Sequence, residues 1–327
     1  MSLHPSVAAV RNAVRRALAD LEPGARLVVA CSGGADSLAL AAATVFEARE
    51  PGWYVVGATV DHGLQDDSAE RAVTVVGQLA ALGVDETVSA RAEVSAPGMG
   101  PEAAARAARY ALLDQIRERF EADAVLLGHT RDDQAETVLM GLARGSGGRS
   151  VAGMRRAFDH YRRPLLDVSR TDTVTACQVE GLAVWDDPHN ADLAYTRVRV
   201  RQRVLPALED ALGPGVAEAL ARTADQLRPD MELLDAYAER ALADVGTSEG
   251  LPVDALAALP PPIRTRVERL AAVAAGAPPG ELFHQHVLAV DALVTAWHGQ
   301  KWVDLPGHLR AARVDGVLRF ERAGGTA

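Results

Sequence analysis

The sequence has little cysteine: its two cysteines, Cys31 and Cys177, stand far apart in a chain of 327 residues. There is no Cys-x-x-Cys pair, which argues against a disulfide framework and a structural zinc site. There is also no apolar run near the length of about 20 residues that a membrane-spanning helix needs. The chain opens with an amphipathic, arginine-containing stretch rather than a signal peptide. We therefore expect a protein of the cytoplasm with no membrane partner.

Lysine is nearly absent as well, with Lys301 the single one, so almost every cationic group is an arginine. The net charge of −10 argues against a nucleic-acid partner for the chain as a whole. Binding depends on local charge, however, and two segments are rich in arginine. These segments indicate either a basic face on an acidic body or solvated side chains that pair with acids elsewhere. Their arginines are Arg144, Arg149, Arg155, Arg156, Arg162, Arg163 and Arg170, then Arg197, Arg199, Arg201 and Arg203.

One polar turn organises the rest of the chain, because it joins an apolar strand to a helix. The run 26–31 is rich in β-branched residues and predicts a buried strand, whereas 38–45 predicts a helix. The N–H groups of such a turn and of the helix N-terminus point at one spot and form an anion site. Glycines let a phosphate approach the backbone closely, and hydroxyl groups add donors. The predicted phosphate-binding residues are Ser32, Gly33, Gly34, Ala35, Asp36 and Ser37.

Asp36 is unusual in an anion site, because a carboxylate repels a phosphate. A divalent cation between the two groups removes that repulsion, and Mg²⁺ suits oxygen ligands, so Asp36 is predicted to bind Mg²⁺. The turn lacks the lysine of a Walker loop. Its pattern, Ser-Gly-Gly-x-Asp-Ser, resembles the loop of the N-type ATP pyrophosphatases, which split ATP between the α and β phosphates. An ordinary Gly/Ser turn is the alternative, but it does not explain the flanking strand and helix.

The first 130 residues alternate between strands and helices. Further strands are predicted at 53–60, 84–90 and 122–128, with helices between them. This alternation predicts an α/β fold with a doubly wound parallel sheet. Asp61 and His62 follow the second strand, at the sheet edge where ligands bind in such folds. We therefore expect both residues to contact the nucleotide of ATP.

A second chemical cluster follows the fourth strand, where a helix is predicted to begin near Arg131. Asp132 or Asp133 then shares a helix face with Glu136. Carboxylates this close repel one another unless a cation, either Mg²⁺ or an ammonium group, stabilises them. The alternative is that acids merely favour a helix N-terminus, which explains Glu136 less well. His129 is either a donor to phosphate or a polar residue at a strand end.

The composition changes after Gly213-Pro214-Gly215, which we take as the domain boundary. Residues 1–213 are predicted to form the catalytic domain, with a short edge strand at 162–166. Residues 214–327 are predicted to form a mainly helical accessory domain. It ends in a β-hairpin around Asp315-Gly316.

Several motifs, taken together, resemble those of the tRNA(Ile)-lysidine synthetase family. The resemblance covers nearly the whole chain in order, and it implies a short, two-domain form. The motifs are Ser-Gly-Gly-x-Asp-Ser at 32–37, Val-Asp-His-Gly-Leu at 60–64, Ala-Arg-x-x-Arg-Tyr at 105–110, Gly-His-x-x-Asp-Asp-Gln-Ala-Glu-Thr at 128–137, Arg-Gly-Ser-Gly at 144–147, Arg-Pro-Leu-Leu at 163–166, Trp-Asp-Asp at 185–187, Tyr-x-Arg at 195–197 and Val-Asp-Leu-Pro-Gly at 303–307.

The resemblance implies a two-step ligation that uses ATP, Mg²⁺, free L-lysine and the tRNA(Ile) whose anticodon is CAU. The wobble cytidine is first adenylated with release of pyrophosphate, and lysine then displaces AMP to give lysidine. The resemblance also suggests a homodimer. It assigns roles as follows: Asp36, His129 and Arg109 to catalysis, Asp133 and Glu136 to the lysine ammonium, and Arg144, Arg149, Arg197 and Arg201 to tRNA phosphates.

The chain departs from the family pattern at two positions. Thr130 stands where the family often has a second histidine, and Val198 stands where it usually has asparagine. A tRNA 2-thiolation enzyme of the same superfamily is an alternative, but the lack of Cys-x-x-Cys argues against it. The segment 128–137 argues against a synthetase of the NAD or GMP type. A non-catalytic nucleotide- or tRNA-binding protein is a third alternative, and the intact loop 32–37 argues against that.

Overall fold

A computed structural model describes residues 3–61, 68–92, 101–145, 147–185, 187 and 191–323 of the protein, and only the backbone of 101–103. The chain forms two compact units. The first consists of Met1–Met140 and Met154–Ala221, and the second of Gly141–Gly153 and Arg222–Ala327. The domain boundary predicted after Gly213 stays a prediction. No helix of the described ranges is both long enough and apolar enough to cross a membrane.

The first unit contains a six-stranded sheet, and its strands are parallel except at one edge, which confirms the predicted α/β fold. The strand order is β3-β2-β1-β4-β6-β5, with β5 antiparallel to β6. The strands are β1 Arg26–Ala30, β2 Tyr54–Asp61, β3 Glu86–Arg91, β4 Ala124–Leu126, β5 Ala157–Phe158 and β6 Tyr161–Arg162.

Helices alternate with these strands along the chain. They are α1 Pro5–Ala17, α2 Ala35–Ala48, α3 Ser68–Leu82, α4 Pro101–Phe120, α5 Arg131–Ala143, α6 Gly148–Val151, α7 Arg170–Val179, α8 Thr196–Arg199 and α9 Leu205–Leu212. A π-helical segment, Val200–Val204, joins α8 to α9. A 3₁₀ helix, Pro164–Asp167, follows β6.

The two faces of the sheet pack against different helices, because side chains alternate along each strand. Leu27 and Val29 of β1 belong to a core that also holds residues of α1, α2 and α7. Val28, between them, belongs to a second core with residues of α4. The strand order reverses between β1 and β4, so a crevice opens there at the carboxyl ends of these strands. Ligands bind at such a switch point in doubly wound folds.

The edge strand predicted at 162–166 is wrong in two respects. The strand ends at Arg162, and β5 covers it, so it does not lie at the sheet edge. Pro164 instead begins the 3₁₀ helix. The physical reason is that proline has no N–H for a sheet ladder, whereas its fixed φ suits the first turn of a helix.

The second unit combines helices with a four-stranded antiparallel sheet of order β7-β10-β9-β8. The predicted hairpin is confirmed: β9 and β10 are joined by Asp315 (φ 51°) and Gly316 (φ 79°), the pair of positive φ angles of a tight type I′ turn. The remaining elements are α10 Val216–Val245, which enters from the first unit, β7 Leu251–Pro252, α11 Val253–Ala258, α12 Pro261–Ala274, α13 His284–Thr295, β8 Val303–Leu305, β9 Leu309–Val314 and β10 Val317–Arg322.

Candidate active site

A cavity of about 1210 Å³ opens in the first unit at the carboxyl ends of β1, β2 and β4. The polar turn after β1 lines it, together with Asp61, Arg109 and His129. Asp133 and Arg201 line it as well. The structure thus gathers most of the predicted nucleotide, catalytic and lysine residues around one space. His62 lies outside the described residues.

The turn is held in shape by its own hydroxyl groups and by its glycines. Ser37 Oγ accepts from the Ser32 N–H at 3.1 Å and donates to the Gly34 carbonyl at 3.0 Å. Gly33 has a φ of +85°, and a Cβ there would lie 2.8 Å from Val75 Cγ2. A side chain at this position is therefore excluded both by backbone conformation and by space. Within the described part of the chain, no side chain caps α2 at its N-cap, Gly34, so the N–H groups of the helix N-terminus are left for an anion.

Asp36, in the first turn of α2, is fixed by two partners from α7. Its Oδ1 accepts from the Thr173 hydroxyl, and its Oδ2 accepts from Arg170 Nε at 3.3 Å. Burial raises the pKa of Asp36 above its ordinary value, although Arg170 and the Thr173 hydrogen bond oppose the shift. The positive charge facing this carboxylate is therefore insufficient to offset its desolvation fully.

The acids at the start of α5 divide into two kinds. Asp132 accepts a hydrogen bond from the backbone N–H of Arg170 at 2.7 Å, so it satisfies a donor at the N-terminus of α7. Asp133 accepts from the N–H and the hydroxyl of Thr130 at 2.9 and 3.1 Å. These contacts give Thr130, the departure from the family pattern, a role in orienting Asp133. They also show that helix capping explains part of this acidic cluster.

Asp133 and Glu136 lie against guanidinium groups. Arg170 contacts Asp133 at 2.9 Å and Glu136 at 3.5 Å. Arg201 approaches Glu136 with Nε at 2.6 Å and with Nη2 at 3.2 Å, and Arg197 Nε lies 3.2 Å from the same carboxylate. The side chain of Glu136 is fully buried. Burial alone would raise the pKa of Asp133, but Arg170 and the Thr130 N–H lower it below the ordinary value.

Arg170 therefore links the polar turn to α5. It contacts Asp36, Asp133 and Glu136 with three different nitrogen atoms. Burial would lower the pKa of Arg170, but these carboxylates outweigh burial and raise it. A fourth acid, Asp132, acts in the same direction. One arginine thus joins the predicted phosphate site to the predicted lysine site.

His129, which follows β4, and Arg109, on α4, both line the cavity. Burial lowers the pKa of His129 to about 3, with Arg163 and Arg109 adding to the effect and Asp133 opposing it, so the imidazole is neutral. Arg109 Nε is buried and has no hydrogen-bond partner within the described ranges. Burial also lowers the pKa of Arg109. A buried donor without a partner, facing a cavity, suits an anionic ligand.

The four arginines predicted to contact tRNA fall in different surroundings. Arg144 is exposed, and Arg149 is more than half exposed while it pairs with Asp235 at 2.7 Å. Arg197 and Arg201 direct their guanidinium groups to Glu136 instead. Their role with tRNA stays a prediction, whereas their contact with the acidic cluster is a finding. Val198, the second departure from the family pattern, is buried in α8.

The sequence alone did not single out Arg170, Thr173, Arg71 or Trp185 for the site. Arg71 and Trp185 line the cavity as a stacked pair, with the guanidinium carbon 3.5 Å from the ring centroid. The backbone N–H of Trp185 donates to the Gly33 carbonyl, and this hydrogen bond connects the pair to the polar turn. Only the Trp-Asp-Asp motif gave a signal for Trp185, and Arg170 appeared merely as one member of an arginine-rich segment.

Comparison with known proteins gives two matches to family models. A PP-loop domain matches residues 7–208, and the TilS substrate binding domain matches residues 251–319. Among solved structures, a U34-tRNA thiolase NcsA from Methanococcus maripaludis, determined with its 4Fe-4S cluster, superposes with a TM-score of 0.58 at 18% identity. That match covers 68% of this chain and 79% of the other, and it shows a shared fold alone.

Curated relatives match over nearly their whole length. The tRNA(Ile)-lysidine synthase of Thermobifida fusca (strain YX) is 56% identical over 315 residues, which is 96% of this chain and 97% of that protein. The enzyme of the same name from Streptomyces coelicolor is 52% identical over 348 residues, covering 97% of this chain and 99% of its own. The chain belongs to the tRNA(Ile)-lysidine synthase family.

Proposed function

We propose that this protein is a ligase that uses ATP to join free L-lysine to C2 of the wobble cytidine of tRNA(Ile) with a CAU anticodon. In the first step, the C2 oxygen attacks the α-phosphorus of ATP, a new P–O bond forms, and the bond to the β-phosphate oxygen breaks to release pyrophosphate. In the second step, the free ε-amine of lysine attacks C2, the C–O bond breaks and AMP leaves, and the attacking nitrogen passes a proton to water.

A single observation carries the proposal: Arg170 contacts Asp36 in the phosphate turn and both Asp133 and Glu136 in α5. The first half-reaction takes place at the C2 oxygen of the cytidine and the second at C2 itself, so their binding sites must adjoin. A shared cavity with one bridging arginine meets that requirement. The family matches support the same chemistry.

The nucleotide is proposed to bind along the turn 32–37. Backbone N–H groups of the turn and of the α2 N-terminus bind the pyrophosphate portion, and Asp61 and His62 contact the nucleoside. Arg109, with its unpartnered buried Nε among the described residues, faces the charge that develops on the phosphates. His129 donates a hydrogen bond to the same charge, as a neutral group.

Mg²⁺ is proposed to bind at Asp36. Across the described segments, no three His, Cys, Asp or Glu side chains are grouped to hold a metal ion by themselves. Mg²⁺ commonly binds to one or two carboxylates and completes its shell with phosphates and water. Asp36 fits that mode, because it is a buried carboxylate whose charge is only partly offset by Arg170. The ion, when bound, supplies positive charge to the phosphates at this turn.

The lysine ammonium is proposed to bind at Asp133 and Glu136. Both carboxylates are buried; Asp133 lines the cavity, and Glu136 lies one helical turn further along α5. An amine bound at this pair would be desolvated and positioned for attack. Three arginines already contact this pair of carboxyl groups. The carboxylate oxygen atoms are therefore held in a fixed arrangement before lysine binds.

The tRNA is proposed to contact Arg144, Arg149, Arg197 and Arg201 and the accessory domain, residues 214–327. The match of residues 251–319 to the TilS substrate binding domain supports a substrate role for that domain. Arginines bind RNA phosphates without sequence preference, so they orient the anticodon loop rather than read it. We also propose, from the family resemblance, that the protein is a cytoplasmic homodimer.

The experiment is pyrophosphate release from ATP by the purified protein. An unmodified tRNA(Ile) transcript with a CAU anticodon is compared with initiator tRNA(Met), which carries the same anticodon, with and without lysine. The proposal predicts release that requires the isoleucine tRNA, and lysine incorporation into that RNA. Release that ignores tRNA, or the absence of release with every substrate, would refute the proposal.

A further inference from the structure

Arg163 is a buried arginine whose contacts converge on one catalytic candidate. Only 6% of the residue is exposed. Its Nε donates to His129 Nδ1 at 3.3 Å. Its other nitrogen atoms donate to the Arg155 carbonyl at 2.6 Å and to the Tyr110 hydroxyl at 3.3 Å. The guanidinium also lies 4.6 Å from the centroid of the Phe158 ring. The guanidinium plane is therefore fixed on several sides.

The contact with His129 determines where the imidazole carries its proton. A guanidinium group has only donors, so the atom that accepts from it must present a lone pair. Nδ1 of His129 is that atom. The proton of the neutral ring then lies on Nε2, because the hydrogen bond of one ring nitrogen sets the state of the other. The ring keeps one donor, Nε2–H, on a residue that lines the cavity.

The groups around His129 also keep the ring neutral. Burial is the largest cause, and Arg163, Arg109 and Arg106 all lower the pKa. Asp133 acts in the opposite direction. Arg163 approaches from the segment before the 3₁₀ helix, Arg106 and Arg109 from α4, and Asp133 from α5. Of these three arginines, Arg163 donates a hydrogen bond to the ring itself.

We propose that Arg163 is a positioning residue of the adenylation step: it fixes His129 as the neutral Nε2–H tautomer, which donates to an anionic phosphate in the cavity without changing its own charge. The inference rests on the proposed function for the identity of that anion. Arg163 itself contacts no substrate in this account. Its effect passes through the imidazole, as when a metal-bound or catalytic histidine is oriented by the partner of its other nitrogen.

The first test reads the tautomer directly and needs no activity. Protein labelled with ¹⁵N-histidine gives long-range ¹H–¹⁵N correlations that distinguish Nδ1–H from Nε2–H. The chain has nine histidines, and the signal of His129 is identified by its loss in His129→Gln. We expect the Nε2–H tautomer in the native protein, with no titration from pH 8 to pH 5.5. A protonated Nδ1, or a ring that titrates in that range, would overturn the proposal.

The second test removes the arginine. In Arg163→Met, we expect the ¹⁵N shift of Nδ1 to move toward its protonated value and the pKa of His129 to rise. The single-turnover rate of pyrophosphate release should fall about tenfold, which is less than the roughly 10²- to 10⁴-fold that a positioned acid or base contributes, because His129 itself remains. The dissociation constant for ATP should change much less. The rate should also acquire a pH dependence on the acid side that the native protein lacks.

Two further variants separate positioning from folding. Arg163→Lys keeps a cationic donor and should recover most of the native tautomer signal and flat pH profile. Phe158→Leu removes the ring beneath the guanidinium but keeps the hydrogen bond to His129, so it should lose stability without changing the tautomer. If Phe158→Leu shifts the tautomer as much as Arg163→Met does, Arg163 acts only through the fold. Inactivity of the native protein with every tRNA would refute the proposed function, whereas the tautomer result would still stand.

Discussion

Two glutamates are buried equally deeply in this molecule, but their surroundings are opposite. Glu136, in the first unit, is fully buried and lies within 3.5 Å of nitrogen atoms from Arg170, Arg197 and Arg201. Glu268, on α12 of the second unit, is 1% exposed, and neither of its carboxyl oxygens has a hydrogen-bond partner among the described residues. Arg264, the arginine that lowers its pKa, is already paired with Asp291 at 2.6 Å.

The difference shows two ways in which a protein can bury a carboxyl group. Around Glu136, guanidinium groups offset the cost of taking a charge out of water. Around Glu268, burial and then Asp291 raise the pKa to about 8, against the weaker effect of Arg264, so the group is protonated at neutral pH. The first arrangement suits the proposed binding of an ammonium ion. A protonated carboxyl group contributes only to the interior of its domain.

Replacing Arg170, the cation that three carboxylates share, should have the largest effect. In Arg170→Met, three carboxylates lose a guanidinium partner, and we expect the free energy of unfolding to fall by about 3 kcal/mol. Both half-reactions should slow by a factor of about 10³, since the same arginine serves both acids and the phosphate turn. Urea denaturation and single-turnover assays measure the two effects. Arg16→Met, which alters an exposed arginine of α1, is the matched control and should change neither.

Altering the carboxylate of the phosphate turn should affect catalysis more than stability. In Asp36→Asn, the side chain keeps its shape and its contact with the Thr173 hydroxyl but loses its charge. We expect adenylation to fall by a factor of about 10² to 10³, as for loss of a group that stabilises transition-state charge. Titration with Mg²⁺ should show a higher requirement for the ion. Normal turnover at ordinary Mg²⁺ concentrations would contradict the assignment of Asp36 as the ligand.

Glu268 should make the protein less stable as the pH rises. The pKa of Glu268 is about 8 in the folded state, above its ordinary value of 4.5. Below pH 4.5 the group is protonated in both states. Between pH 4.5 and 8, the unfolded chain loses the proton while the folded chain keeps it, so stability falls as pH rises, by at most about 1.4 kcal/mol per pH unit.

Glu268→Gln should remove this pH dependence, because the amide has no proton to lose. Between pH 5 and pH 7.5, we expect the stability of the variant relative to the native protein to rise by about 3 kcal/mol. Chemical denaturation followed by tryptophan fluorescence at the two pH values checks the expectation. A variant that is less stable at both pH values would show that the carboxyl group has a partner that it needs.

The exposed arginines should contribute least to folding. In Arg149→Ala, the loss of the ion pair with Asp235 should cost no more than about 1 kcal/mol, because more than half of the arginine side chain is exposed. If Arg149 contacts a phosphate, the dependence of tRNA affinity on salt should become shallower by about one counterion. Filter binding at several salt concentrations measures this. An unchanged slope would remove Arg149 from the proposed tRNA surface.

The sequence predicted those features that local chemistry determines. The phosphate turn follows from its Gly and Ser residues between a strand and a helix. The hairpin follows from Asp315-Gly316, which accepts the positive φ angles of the turn. The parallel sheet follows from the alternation of strands and helices. In each case, the residues that decide the structure are neighbours along the chain.

The remaining features depend on residues that are distant in sequence. Arg170 contacts Asp36 across a separation of 134 positions, and no local pattern marks that arginine among its neighbours. No local pattern distinguishes the acids of α5, but their contacts differ. Asp132 accepts a hydrogen bond from the backbone N–H of Arg170 at the start of α7, whereas Glu136 accepts one from the Arg201 side chain. The edge strand predicted at 162–166 was wrong because β5, which is distant from β4 in the sequence, covers β6, and Pro164 begins a 3₁₀ helix instead.

The most direct test of the proposed lysine site is to measure the adenylation step and the lysine step separately in Glu136→Gln. The variant is incubated with α-³²P-labelled ATP and isoleucine tRNA, with and without ¹⁴C-labelled lysine. The ³²P in the tRNA then reports the adenylated intermediate, and the ¹⁴C in the tRNA reports the lysidine product. We predict that adenylated tRNA forms at near the native rate and accumulates, because the lysine step alone slows. Equal loss of both products in a folded variant would contradict the assignment of Glu136 to lysine.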